Sequence, residues 1–353
     1  MKLLFLADGS SYHTKRWVNF FAQENHQCYL LSLEEIKEVM AETYYIRPKL
    51  KIRGLKYISS YFQVKRVVEN IKPDLINALF VPNYGFLGAL LNFKPLVVSA
   101  WGSDILISAH KSFLHRLRAK FVLNKADLIL SDSNVLTERI IELGMDEKKI
   151  LTFPLGIEID KYLRPKETKD TITILSIRRF EPVYDVKTLI QAIPLVLENS
   201  KRKVRFIIIG SGSQSKQLKG LAHNLESQDK VIFKENLSDE ELIQTYGDSD
   251  IYVSTSLSDS TSVSLLEAMA SRLIPVVTDI PGNREWIEDG KNGLLFRPKD
   301  HKGLAQKINL ALDNFEKYQS MCEVNLEILK KKADWKSNIQ MVERKFLEMV
   351  KKR

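Results

Sequence analysis

The chain has 353 residues, 44% hydrophobic and 27% charged, with a formal net charge of +9. That much apolar surface excludes a largely disordered chain, and 15 Gly, 11 Pro and 2 Cys exclude collagen-like, low-complexity and disulfide-scaffold classes. At ~150 residues per domain the length suggests about two domains.

Residues 2–7 read as a short buried strand. A polar turn at Asp8-Gly9-Ser10-Ser11 follows, then a helical pattern through Trp17, Phe20 and Phe21, then a strand at 28–33. Strand, polar turn, helix, strand opens a doubly wound α/β sheet. Asp8 interrupts the first apolar run too early for a signal peptide. The alternation continues with a strand at 74–79, a small-residue helix at 84–91 and a strand at 96–100 leading into Trp101-Gly102-Ser103-Asp104. An amphipathic basic helix at 111–125 and a strand at 128–131 complete the first half.

After a polar, charged stretch at 161–170 the alternation restarts. Strands are expected at 171–177, 204–209, 231–234, 251–254, 274–278 and 293–296, and helices at 186–198, 214–226, 239–246, 262–270, 301–331 and 337–351. This predicts an α/β chain of two Rossmann-like doubly wound domains facing a central cleft, with a hinge near 160–170. Ligands of such sheets bind outside the carboxyl ends of the strands.

Charge is uneven. Residues 43–72 hold Arg47, Lys49, Lys51, Arg53, Lys56, Lys65, Arg66 and Lys72 against Glu69 alone, interleaved with Tyr44, Tyr45, Tyr57, Tyr61 and Phe62. Such a surface suits anionic lipid headgroups, an acidic glycan or nucleic acid, or is a solvated face with core aromatics behind it. No stretch reaches the ~18 apolar residues of a membrane span. Cys28 and Cys322 lack metal-ligand spacing and read as buried, reduced thiols of a cytoplasmic protein. Asp248-Ser249-Asp250 leads into a strand instead of following one, so no metal is expected.

Residues 254–296 carry the most information. A polar loop of small residues, 256–264, opens directly into the helix Leu265-Leu266-Glu267-Ala268-Met269-Ala270. The N–H groups at that helix start, from Ser262, Val263 and Ser264, favour a phosphate. Asp259 and Glu267 are carboxylates beside it, suited to accept hydrogen bonds from hydroxyls. Phosphate, ribose and a further polyol together describe a nucleotide sugar. A capping cluster accounts for the serines but not for Glu267 among Leu265, Leu266, Ala268 and Met269.

Asp259-x7-Glu267 followed by Ala-Met-Ala resembles the E-x7-E element of retaining glycosyltransferases of family 4, which have the GT-B fold. The resemblance runs over nearly the whole chain. It includes MKLLFLADGS, Lys72-Pro73-Asp74, Trp101-Gly102-Ser103-Asp104, Gly210-Ser211-Gly212, Pro281-Gly282-Asn283-Arg284-Glu285 and Asp289-Gly290-Lys291-Asn292-Gly293-Leu294-Leu295. It implies that Glu267 binds the ribose hydroxyls, Asp259 contacts the donor sugar and Arg179 neutralises the leaving diphosphate. Arg178 is its neighbour on the donor side, and one of the pair points away. The resemblance divides the chain at 1–165, an acceptor-binding domain, 166–334, a nucleotide-sugar-binding domain, and 335–353, a helix crossing back to the first domain.

Three positions depart from the pattern. The first acidic residue is the shorter Asp259. The second phosphate cation, five residues after the arginine, is Tyr184, for which Lys187 is a substitute unless it faces solvent. Trp101 stands where many relatives have a histidine; it either stacks on a sugar face or is a core tryptophan. Asp104 is an acceptor-side carboxylate or a helix cap. His13 reaches the acceptor or diphosphate, or is an exposed loop histidine. Gly9, Ser10 and Gly210 are small enough for close donor approach.

The expected reaction moves a sugar from a nucleotide-diphosphate donor, with UDP favoured, to a glycan or lipid-linked acceptor in surface-polysaccharide assembly. The resemblance implies anomeric retention by a front-face route; no cofactor or metal is expected, and no RNA- or DNA-binding signature supports a nucleic-acid partner. It is compatible with peripheral attachment at the inner face of a membrane. The alternatives are a nucleotide-sugar epimerase of the same fold and a catalytically silent nucleotide-sugar or glycan-binding module.

Overall fold

A computed structural model of the chain describes residues 1–48, 50, 52, 55–164, 170–225 and 228–352. The chain forms two compact units. One is Met1–Phe153 with Ile339–Arg353, and the other is Pro154–Asn338.

The first unit is a parallel sheet of seven strands: β1 (Lys2–Leu6), β2 (Gln27–Ser32), β3 (Glu42–Tyr45), β4 (Leu75–Leu79), β5 (Leu96–Ala100), β6 (Leu128–Ser131) and β7 (Ile150–Thr152). Their order is β3-β2-β1-β4-β5-β6-β7. β1, β4 and β5 are almost continuous apolar runs because helices cover both faces. Successive side chains alternate between those faces. Leu4 and Leu6 join Leu31, Ile76, Val98 and Ile129 on one side. Phe5 meets Phe21 of the helix Tyr12–Gln23 on the other, with ring centroids 5.6 Å apart.

The terminal helix Trp335–Lys351 brings its last part to this same layer. Phe346 stacks on Phe21 at 5.4 Å, and Glu343 sits 2.8 Å from His26 Nε2.

The second unit is a parallel six-stranded sheet: β8 (Thr171–Ile177), β9 (Lys203–Ile209), β10 (Val231–Lys234), β11 (Ile251–Ser254), β12 (Ile274–Thr278) and β13 (Leu294–Phe296). Their order is β10-β9-β8-β11-β12-β13. Ile174 lies in a core with Phe206, Val253 and Val276, and its neighbour Leu175 in the opposite one with Ile207, Tyr252 and Met269. Ile157 and Ile159 belong to this second core, and Ile157 exchanges backbone hydrogen bonds with Ala333 and Trp335. The unit therefore starts well before residue 166. Of the expected hinge, 165–169 lies outside the described residues.

Both sheets match the doubly wound α/β expectation. Three segments differ from it. Residues 84–91 are a wide helical turn, Phe80–Gly85, before a short helix, Phe86–Leu91. Residues 301–331 form two helices, His301–Asp313 and Phe315–Lys332, broken at Asn314. The segment 132–152 adds the helix Asn134–Glu142 and β7.

Within 43–72 lie β3 and two helices, Leu55–Ser59 and Tyr61–Ile71. Tyr57, Val64, Val68 and Ile71 face the core at helical spacing. That pattern is masked in the sequence by Leu55, Ile58 and Phe62, which are exposed out of phase with it. Lys49, Lys51 and Arg53 lie outside the described residues. Both cysteines are buried and unbridged, and burial pushes the Cys28 thiol up to about 12.

Phe346 is fully buried. Truncating it to alanine is expected to cost ~3–5 kcal/mol, since it removes a ring and leaves a cavity against Phe21. A fall in the denaturant midpoint checks this, and an unchanged midpoint would show that the terminal helix does not depend on that contact.

Candidate functional site

In the second sheet the strand order reverses between β8 and β11. The loops leaving their carboxyl ends, 178–185 and 255–262, therefore diverge and leave a crevice at the sheet edge. Two cross-links hold them together. Leu257 N–H donates to Val183 O at 2.8 Å, and Thr255 Oγ1 donates to Tyr184 O at 2.9 Å. Gly282, in the turn after β12, seats the loop from beneath: a Cβ there would lie 2.3 Å from Asp259 O.

Ser262 caps the helix Val263–Ala270. It is extended (φ −76°, ψ 102°), and its Oγ accepts from Leu265 N–H. The first N–H groups, of Val263 and Ser264, have no acceptor within the helix, so its positive end is open to an anion. Leu265, Leu266, Ala268, Met269 and Ala270 bury the other faces. Glu267 is left half-buried at the edge.

Arg178 and Asp259 meet at this helix end. Arg178 Nη2 lies 3.1 Å from Asp259 Oδ2, with side chains only 9% and 18% exposed. Arg178 Nε donates to Ser254 Oγ at 3.0 Å, and Nη2 also donates to Ser262 Oγ. Burial acts to lower the Arg178 pKa, but the oxygens of Tyr252, Asp259, Tyr184 and Tyr246 outweigh it and the net direction is up, so the guanidinium stays charged. Asp259 Oδ2 is buried and accepts no hydrogen bond among the described residues; the ion pair alone holds it. A buried carboxylate oxygen without a donor is costly, and a ligand hydroxyl would relieve it.

Arg179, expected to meet the diphosphate, is 76% exposed, with its Nη2 4.0 Å from Glu181. Of the adjacent pair it is Arg178 that turns into the site. Glu181 is engaged in turn by Ser213, whose N–H and Oγ donate to it at 3.0 and 2.6 Å and hold its carboxyl low.

Tyr184 is half-buried beneath the Arg178 guanidinium, 5.7 Å from ring centroid to carbon. Lys187 is exposed on the helix Val186–Asn199, the solvent-facing alternative. Gly210 is required by the chain's own packing: a Cβ there would lie 1.9 Å from Arg178 O.

Glu267 is held by two residues that sequence reasoning missed. Tyr162 donates to Oε1 at 2.7 Å and Tyr246 to Oε2 at 2.8 Å, and the two rings meet edge to face. Tyr246 is raised well above its usual pKa, first by burial and then by Glu267, so it remains a donor. Tyr252 pairs with Ser264 Oγ at 2.8 Å. No spacing signals these contacts, because Tyr162 is 105 positions from Glu267.

In the first unit the start of the helix Tyr12–Gln23, after β1, and the turn after β5 bring His13 and Trp101 together, with Asp104 bonded to Trp101. His13 packs edge-on against Trp101 and Tyr12, both at 5.9 Å, and Trp101 packs against the buried Trp17. Trp101 is thus half core and half strand-end surface.

Asp104 is buried in the first turn of the short helix Ser103–Leu106, whose N-cap is Gly102, and accepts from the N–H groups of Val81, Trp101 and Ile105, all at 3.1 Å, so it braces the turn and is not the helix cap. Burial raises it to about 6 against those donors. Gly9 donates its N–H to Ser32 Oγ and packs on Ile36, while Ser10 Oγ and N–H turn back to Asp8.

Two family models cover most of the chain: glycosyl transferases group 1 over residues 159–325 and glycosyl transferase 4-like over 2–133. An uncharacterized glycosyltransferase of Methanocaldococcus jannaschii is 25% identical over 320 residues, 86% of this chain and 81% of its own length. The alpha-monoglucosyldiacylglycerol synthase of Streptococcus pneumoniae is 26% identical over 49% of this chain and 42% of its own. Among solved structures, Anabaena HepE in complex with UDP matches with TM-score 0.82 at 18% identity, covering 99% of this chain and all of its own. Sucrose-phosphate synthase of Thermosynechococcus elongatus matches with TM-score 0.85 at 14% identity, covering 99% of each. These structural matches show the GT-B fold.

His13 makes a pH prediction. Its Nδ1 is buried with no hydrogen-bond partner among the described residues, and burial, then Arg16, lower its pKa. The unfolded chain, at ~6.5, therefore binds the proton more readily, and stability is lost as pH falls through that value. Melts of wild type and His13→Gln between about pH 7.5 and 5.5 should show the variant losing less stability. Parallel losses would count against a buried neutral imidazole.

Proposed function

The chain belongs to the glycosyl transferases group 1 family, and from that premise we propose that it moves a sugar from a nucleoside-diphosphate donor to an acceptor hydroxyl with retention of anomeric configuration. The observation that carries the donor reading is the orphaned Asp259 Oδ2 beside a charged arginine and an open helix N-terminus. An anion and a hydroxyl are the two ligands this arrangement lacks, and a sugar diphosphate brings both. The neighbour that holds UDP favours uridine as the base.

In this reading the N–H groups of Val263 and Ser264, with the Ser262 cap, receive the diphosphate, and Arg179 reaches it from its exposed position. Asp259 accepts from a hydroxyl of the donor sugar. Glu267, oriented by Tyr162 and Tyr246, accepts from the ribose hydroxyls. The bond from the anomeric carbon to the diphosphate oxygen breaks, and the acceptor oxygen bonds to the same face. The acceptor proton passes to the leaving diphosphate, whose growing charge the helix end and arginines stabilise. His13, neutral and half-buried beside Trp101, is the group of the first unit suited to accept from an acceptor hydroxyl.

The acceptor is a glycan or lipid-linked molecule of surface-polysaccharide assembly, held at the inner face of a membrane. Exposed apolar residues on the first unit support this. Phe62 is 80% exposed, Phe113 73% and Leu114 74%, with Lys65, Arg66, Lys111 and Arg116 close by in the chain. Apolar side chains flanked by cations suit an anionic leaflet. Among the described residues no helix is long and apolar enough to cross a membrane.

Two experiments test these readings. A thermal-shift panel of UDP, GDP, ADP and their sugar conjugates should stabilise the protein with one base by ~2.7 kcal/mol at 100 times the dissociation constant. Glu267→Ala should abolish the shift; no shift with any nucleotide in folded protein would overturn the donor reading. Co-sedimentation with vesicles of phosphatidylglycerol should exceed that with phosphatidylcholine and fall sharply in Phe113→Ser/Leu114→Ser. Equal recovery with both lipids would sink the membrane reading.

A further inference from the structure

Resting on the donor reading above, we propose that Arg178 supplies the second positive charge on the donor's diphosphate, the charge that Tyr184 at the expected cation position does not bring. Three observations carry it.

The guanidinium stands in an arrangement that an anion would complete. It donates to the N-cap Ser262 and so lies at the positive end of the helix Val263–Ala270. Cations are disfavoured there, and Asp259 is the carboxylate beside it at 3.1 Å. One carboxylate faces a full charge and a helix end together, and a diphosphate would restore the balance.

The guanidinium also has donors to spare. Its Nε is taken by Ser254 and its Nη2 by Ser262 and Asp259, but Nη1 has no partner among the described residues. A planar fork with a free edge suits phosphate oxygens.

Finally, Arg178 stands over Tyr184, the uncharged residue at the expected cation position. Its guanidinium carbon lies 5.7 Å from the Tyr184 ring centroid, so the charge is held over the place where a cation at position 184 would begin. The two loops are bonded to each other at Val183 and Tyr184, which fixes that placement. Occupancy by a diphosphate would also weaken the pull of Arg178 on Asp259, leaving Oδ2 to accept from the sugar. Arg178 thereby links phosphate binding to sugar orientation.

Calorimetric titration of UDP, GDP, uridine and guanosine tests this on wild type, Arg178→Gln and Arg178→Gln/Tyr184→Lys. Loss of a charge-assisted contact should weaken the preferred diphosphate by about 10- to 100-fold. Its nucleoside should change by less than about threefold. Adding Tyr184→Lys should recover most of the diphosphate loss, which a merely structural arginine would not allow. Should Arg178→Gln fail to fold, Arg178→Lys keeps the pair with Asp259 but not the fork, and should still weaken the diphosphate selectively.

Unchanged diphosphate affinity in a folded variant overturns the proposal. So does equal loss for diphosphate and nucleoside, or a loss that the added Tyr184→Lys change does not restore. If wild type binds neither UDP nor GDP, the donor reading itself fails, and this role with it.

Discussion

Parallel pairing is the constraint on which the rest depends. Every strand of the second sheet runs the same way, so each crossover must return the chain before a new strand begins. All strand-end loops therefore leave one edge. Where the order reverses between β8 and β11, two of them part, and chemistry-bearing residues from distant sequence converge at that point. Arg178 and Asp259 are 81 positions apart, yet their charged atoms are 3.1 Å apart because β8 and β11 are hydrogen-bonded neighbours. The first sheet obeys the same rule: His13 follows β1 and Trp101 follows β5, strands separated by β4 alone.

The electrostatics of the second unit follow from this convergence. Three sources of charge share one small region: the helix end at Ser262, the Arg178 guanidinium and the Asp259 carboxylate. Taking a charge out of water is costly unless it is paired and hydrogen-bonded. Arg178 satisfies that through Ser254, Ser262 and Asp259. Asp259 does so only in part, since Oδ2 has the ion contact without a hydrogen bond. Such incomplete satisfaction is expected where a ligand will finish the network, because a fully satisfied group gains nothing from binding. Glu267 differs: both of its oxygens are already oriented by tyrosines, which fixes its direction in advance of any partner.

Much of this was legible in the sequence, for physical reasons. A strand buried on both faces must be a short apolar run, so β6, β8, β11 and β12 are visible as such. A small polar loop opening into an apolar helix announces an N-cap, and Ser262 is one. What stayed hidden depends on long-range contact or on exposed apolar residues. Tyr162 and Tyr246 reach Glu267 from the segment before β8 and from a helix end, and no local pattern records that. Of Arg178 and Arg179, sequence assigned the phosphate to the second, yet the first is enclosed. The helices of 55–71 were masked because Phe62 and Ile58 break the apolar phase that Tyr57, Val64 and Val68 follow.

The glycines show how far site and scaffold share residues. At 210 and 282 a side chain would collide with Arg178 O and Asp259 O, the backbone carbonyls of the two residues that form the ion pair. A methyl group at either position would shift the loop that aims the charge. These glycines therefore act on the site through backbone approach, and the conservative change from glycine to alanine is not conservative there. Asp104 makes the complementary case in the first unit: a buried carboxylate in a strand-end turn whose oxygens are spent on the backbone N–H groups of Val81, Trp101 and Ile105. It fixes the turn that carries Trp101 toward His13, so its contribution to any acceptor contact runs through the position of that ring.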